Sequence, residues 1–188
     1  AFGAWTVTLK LQPIIVTAHL MLALVLLACL TLFAQQNWIE KASSVRMLRV
    51  RPLSAKLLLI AFSVLFVQIF LGAWVSTNYA VLACEDFPTC QGVWWPAMDF
   101  VNGFHLWRDL GQTQSGQLLT LDALRAIHWG HRLGAVVTLV ILIYVGFKAL
   151  KVSIVQGCPV MRRWSFALLA LSLMQLLTGM SNVILDWP

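Results

Sequence analysis

Long apolar runs separated by short polar stretches set the pattern of this chain. Four runs, residues 13–33, 57–75, 127–150 and 164–185, carry few charges. At about 1.5 Å per residue each is long enough to cross a hydrocarbon core of about 30 Å as a helix. The pattern predicts an all-α membrane protein, a polytopic bundle with four transmembrane helices in these residues. The connections are unequal: 34–56 and 151–163 are short, whereas 76–126 is long and holds most of the acids. The opening Ala1-Phe2-Gly3-Ala4-Trp5 has neither an initiator Met nor a basic n-region, so no span reads as a cleavable signal peptide. The expectation is a chain that begins inside a longer protein.

Composition agrees, since 60% apolar residues, 11% charged residues and a mean hydropathy of +0.83 exclude an ordinary soluble domain. The net charge of +6 is unevenly placed. Lys41, Arg46, Arg49, Arg51 and Lys56 face a single acid, Glu40, around the first connection, and Lys148, Lys151, Arg162 and Arg163 face none around the third. The long connection instead carries Glu85, Asp86, Asp99, Asp109 and Asp122 against Arg108 and Arg125. Because Lys and Arg near helix ends favour the cytoplasmic side, 34–56 and 151–163 are expected inside, and 76–126 outside with both chain ends. Basic residues confined to two short inter-helix loops are not a nucleic-acid footprint.

Cysteine placement fits this topology. Cys84 and Cys90 fall in the external connection around Pro88, where an oxidising compartment lets them pair. Two unpaired thiols are the plainer alternative. Cys29, inside the first span, reads as an apolar filler, and Cys158 as a reduced thiol in a cytoplasmic loop. A short internal echo also stands out, in which Gly3, Val7 and Leu9 match Gly179, Val183 and Leu185 in spacing, with a Pro following in each case, Pro13 and Pro188. It places the outer end of one helix before the next in both copies, with the alternative that so short a match is chance.

Histidines at the outer ends of the spans are the candidate chemistry. His19 lies six residues after Pro13, about 9 Å along the axis. An ionisable group in a spanning segment is costly and points to a ligand or proton relay, against the plainer reading of a hydrogen bond to a neighbouring helix. His128 and His131, three apart, share one helix face. Both can then ligate, or one can ligate while the other turns to the aqueous mouth. Arg132 can hold a carboxylate or simply snorkel. His105 reads as a solvated or interfacial residue. Zinc is disfavoured because neither His-Glu-x-x-His nor paired Cys-x-x-Cys occurs. Haem fits better: it needs axial histidine, small residues such as Gly72, Ala73, Gly130, Gly134 and Ala135, and basic groups for its propionates. No Cys-x-x-Cys-His is present for covalent attachment. The aromatic set Trp94, Trp95, Phe100, Phe104 and Trp107 reads as an interfacial belt, with a cap over a haem pocket as the alternative. Gln68, Gln175 and Asn182 read as interhelical hydrogen-bond groups.

The wording of several segments is specific. Phe70 to Tyr79, Cys84 to Gly92, Trp95 to Phe100 and Ala126 to Arg132, together with Leu9 to Pro13, His19 and Gly179 to Pro188, resemble the haem A synthase family of cytochrome oxidase assembly enzymes, closest to its proteobacterial branch. The resemblance covers nearly the whole chain. It implies eight helices in two similar four-helix halves, each with a pair of histidines on the outer side. On that template residues 1–56 are the end of the first half, with its fourth helix at 13–33, and residues 57–188 are the second half without its final helix. His19 resembles the fourth-helix ligand and His131 the sixth-helix ligand. Their partners, and an acidic residue on the second helix, fall outside these residues, so the isolated 188 residues are expected to be inactive.

The reaction so implied is oxidation of the C8 methyl of haem O to a formyl group, with haem b as cofactor. Haem O is the substrate and the bacterial inner membrane the location. A haem O synthase, an electron acceptor and further copies of the chain are the implied partners. His131, with Arg132 or His128 in support, is the expected haem b position. Two alternatives share the histidines: a non-catalytic b-type di-haem electron carrier, and a membrane scaffold or transporter.

Overall fold

The computed structural model of the protein describes residues 2–41 and 53–185. Helices α1 (Phe2–Thr8), α2 (Pro13–Lys41), α3 (Ala55–Thr77), α4 (Phe100–Gly103), α5 (Leu121–Val155) and α6 (Pro159–Ile184) follow one another, and no named strand occurs among the described residues. Four of them, α2, α3, α5 and α6, are long and apolar enough to cross a membrane. The expected all-α polytopic bundle is therefore the observed class. The Arg46, Arg49 and Arg51 part of the first basic connection and Pro188 of the internal echo lie outside the described residues.

Each span is longer than its apolar run, because hydropathy registers the hydrocarbon slab whereas a helix continues until its backbone is capped. The clearest case is α5, which begins at Leu121 and not at Ile127. The Thr120 hydroxyl accepts the Ala123 N–H at 3.3 Å, and Asp122 stands in the first turn, where the helix dipole favours an anion. His128 and His131 are thereby carried two to three turns inside a continuous helix. At the other end the expected 151–163 loop shrinks to Gln156–Cys158, with Gly157 at φ +62° and Pro159 opening α6. Lys151, Arg162 and Arg163 ride on helix ends.

Neighbouring spans meet through small residues. A Cβ on Gly146 of α5 would stand 2.6 Å from Leu169 Cδ2 of α6, and one on Gly134 would collide with the Gln68 side chain of α3. On the other side of α3, the hydroxyls of Thr17 and Thr77 lie 3.2 Å apart and tie it to α2. Burial concentrates at one end of the bundle, around Trp74, Val75, Ala80 and Ile127. Elsewhere the spans present Leu, Val and Phe outward, as helices in lipid do. Gln175 and Asn182 also sit on exposed faces of α6, so of the three expected interhelical groups only Gln68 bonds a neighbouring helix among the described residues. Cys29 is exposed on α2 and does not fill a core.

The long connection is folded over the C-terminal end of α3 and the N-terminal end of α5. Cys84 and Cys90 form a disulfide, as expected. Inside the loop they close, the Asp86 carboxylate accepts from the Thr89 hydroxyl, the Gln91 N–H and, at 2.8 Å, the Gly92 N–H. These bonds, the Thr89 hydroxyl first, hold its pKa down at about 2. Asp99 caps α4 by accepting the Asn102 N–H at 3.0 Å, and the Trp74 indole N–H donates to the Gly103 carbonyl at 3.0 Å. The four-residue α4 is thus pinned between α3 and α5.

Candidate site at the disulfide-loop end of the bundle

His131 projects from α5 onto α3 at a position with no side chain in the way. A Cβ on Gly72 would stand 3.1 Å from the His131 Cε1, so the imidazole rests against the α3 backbone. One turn earlier on α3, Gln68 Nε2 lies 3.0 Å from His131 Nδ1 and 3.2 Å from its carbonyl oxygen. The ring is held through Nδ1 and the Gly72 face, and its Nε2 carries no hydrogen bond among the described residues. Gly130, the preceding residue, is covered by Phe104, whose Cζ lies 3.1 Å from where a Cβ would be.

His128, one turn earlier, is only 4% exposed. Its Nε2 accepts from Arg132 Nε at 3.2 Å, so its proton sits on Nδ1, which is buried without a partner among the described residues. The same guanidinium donates through Nη1 to the Asp86 and Thr89 carbonyls, at 2.9 and 2.7 Å, and through Nη2 to the Cys84 carbonyl at 3.0 Å. Arg132 thus bolts the disulfide-closed loop to α5. Of its five N–H groups, one on Nη2 remains for another acceptor.

His19 is not brought to this cluster. It lies exposed on α2, with its ring toward α1, where a Cβ on Gly3 would be 3.7 Å from Cε1. His105 is half-buried in the long connection. The aromatic set divides: Trp94, Trp95 and Trp107 are exposed, whereas Phe104 lies on α5. Trp95 stacks edgewise on Trp129 at 4.5 Å, and the Trp129 N–H reaches the Trp94 carbonyl at 3.2 Å.

Two residues of the site were not legible as such. Gln68 was expected to bond another helix, but nothing in the sequence pairs it with His131. Arg108 had only its charge to mark it, yet it is 3% exposed, lies 5.8 Å over the Trp74 ring and donates to Asn78 Oδ1 at 2.5 Å. Its burial lowers its pKa.

Taken together, the bundle and the cluster define a class: a polytopic helical membrane protein that offers an imidazole nitrogen at a helix crossing beneath a disulfide-bonded loop. The comparisons narrow the class. Residues 1–188 match the cytochrome oxidase assembly protein family COX15-CtaA, and the chain belongs to that family. It is 34% identical over 192 residues to the Heme A synthase of Shewanella oneidensis, an alignment covering 100% of this chain and 54% of that protein. It is 33% identical over 72 residues to the Heme A synthase of Halalkalibacterium halodurans, covering 38% of this chain and 23% of that protein. The chain therefore spans about half the length, or less, of these curated relatives. No solved structure matches it.

Proposed function

We propose that these residues belong to a haem A synthase, an oxidoreductase that converts the C8 methyl of haem O to a formyl group, and that His131 is an axial ligand of haem b. The observation that carries the ligand assignment is the half-satisfied imidazole. His131 is anchored through Nδ1 and seated on Gly72, while Nε2, the nitrogen an iron would take, has no protein partner among the described residues. Family membership and the similarity to two proteins named Heme A synthase support the reaction.

Conversion of methyl to formyl with water as the oxygen source releases four electrons and four protons. It therefore requires an electron acceptor in or at the membrane. Bound at His131, haem b would supply one-electron chemistry, and the residues around it would set its environment. Gly72 lets the ring approach α3, Phe104 covers the turn before His131, and the apolar helices exclude water. The remaining Nη2 proton of Arg132 is available to a propionate, while His128, with Nε2 already engaged, supports Arg132. His19 is assigned as the ligand of a second haem position on α2, separate from the first. The sidedness follows the charge pattern: the disulfide loop faces the periplasm and the α5–α6 turn the cytoplasm of a bacterial inner membrane. The haem O synthase and further copies of the chain remain the partners this reading implies.

The test is haem analysis of the protein purified from membranes that also make haem O. Haem b together with haem O and haem A, and loss of haem b in His131→Ala, is the expected result. A His131→Ala protein with full haem content overturns the ligand assignment. Haem b alone, with no conversion of haem O, makes the protein an electron carrier.

A further inference from the structure

Gln68 makes an unequal use of its amide. Its Nε2 serves two acceptors, His131 Nδ1 at 3.0 Å and the His131 carbonyl at 3.2 Å, while its Oε1 is buried without a partner among the described residues. A buried amide oxygen left without a donor is unfavourable. With an amide N–H facing it, Nδ1 suits the tautomer in which it is bare and Nε2 is protonated. In that tautomer Nε2 has no lone pair to offer a metal.

Rotation of the amide by half a turn about its last side-chain torsion, which is soft and two-fold, exchanges the two ends. Oε1 then faces Nδ1 and accepts its hydrogen, the buried oxygen is satisfied, and the Nε2 lone pair is released. The exchange also sets Oε1 beside the His131 carbonyl oxygen, which Nε2 now meets at 3.2 Å, and leaves the amide NH2 where Oε1 had no partner, so it is favoured only when a metal at the ring Nε2 drives it. Gln68 is held in place for both orientations, because α3 and α5 are in contact at Gly134, where a Cβ would collide with this same side chain.

We propose that Gln68 is a positioning residue that selects the tautomer of His131, its amide oxygen holding the hydrogen on Nδ1 whenever Nε2 ligates iron. The inference rests on the assignment of His131 as a haem ligand made above. An acceptor on the far nitrogen of a ligating imidazole raises the basicity of the near one, so the potential of the bound haem depends on what stands at position 68.

The experiment uses the full-length protein isolated with its haem and compares Gln68→Glu, Gln68→Leu and His131→Ala. Glu presents a stronger acceptor of the same shape and is expected to lower the midpoint potential of the haem lost in His131→Ala. Leu presents none and is expected to raise it. Wild-type potentials in both variants, or shifts of the same sign, overturn the proposal, because a merely structural role does not reverse with the acceptor. If a Gln68 variant releases its haem, the ring ¹⁵N shifts of His131 are read instead in the haem-free proteins: a hydrogen on Nε2 in the wild type that moves to Nδ1 in Gln68→Glu supports the role, and the same tautomer in both overturns it. Full haem content in His131→Ala would instead remove the ligand assignment itself. The two failures are therefore distinguishable.

Discussion

Arg132 donates to the Cys84 carbonyl across 3.0 Å, so the disulfide-closed loop is fastened to α5 one residue beyond His131. Three carbonyls of one loop converge on this guanidinium, and its Nε is turned to His128. A planar fork suits that task where a point charge does not.

Arg132→Lys keeps the charge and loses the fork. Hydrogen bonds to a charged group contribute about 1.5–3 kcal/mol each and are not additive here, so the substitution is expected to cost about 2–3 kcal/mol. Thermal unfolding in detergent measures the loss. Faster proteolysis within residues 84–93 locates it, whereas an unchanged cleavage rate there would mean that the loop is held by something else.

Gly72→Val places a branched side chain where a Cβ alone would already stand 3.1 Å from the His131 ring. Overpacking of this kind costs about 1–3 kcal/mol. The ring is expected to be displaced and the haem-to-protein ratio to fall, with Gly72→Ala intermediate. Wild-type haem content in the Val protein would show that His131 does not need the α3 backbone.

Asp86 gives the loop a pH dependence of known sign. Its carboxyl is held at about 2 against an ordinary value of 3.8, so its stabilisation is complete above 3.8 and is lost as pH falls through 2. The loop is therefore expected to be unchanged from pH 7 to about 4 and to loosen below that. The amide proton shift of Gly92, which donates to this carboxylate, should titrate with a midpoint at about 2. Asp86→Asn should abolish that titration.

Trp74→Phe removes the indole N–H that meets the Gly103 carbonyl at 3.0 Å and leaves that carbonyl without this donor. The ring is fully buried, so the change also empties volume beneath α4. A cost of about 2–4 kcal/mol is expected from the two effects together. It should appear as a lower unfolding temperature and as early hydrogen exchange in residues 99–104. Loss of stability without that local exchange would place the damage elsewhere in the bundle.

The spans, the disulfide pair and the concentration of histidines at one end of the bundle could be read from residue types alone, because lipid imposes a simple rule on composition and the short Cys84–Cys90 spacing allows pairing. Helix ends were less legible. Thr120 and Asp122 carry the signal that moves the start of α5 outward, but it is a capping signal and not an apolar one. The partners of Arg132 were beyond reach for a different reason. They are backbone carbonyls at residues 84, 86 and 89, brought to it by the fold of the loop, and a carbonyl has no letter in a sequence. The same holds for Phe104 over Gly130, which depends on how α4 is pinned.

The length of α5 bears on how the parts are spaced. Its 35 residues make a rod of about 52 Å, well beyond the thickness of a hydrocarbon core. Its first turns carry Arg125, which grips Gln91 beside the disulfide loop at 2.6 Å, and six residues further on the same rod carries His131. The loop's anchor at Arg125 and the imidazole of His131 are therefore held about 9 Å apart along one continuous helix, and the spacing between them is set by the backbone and not by side-chain packing.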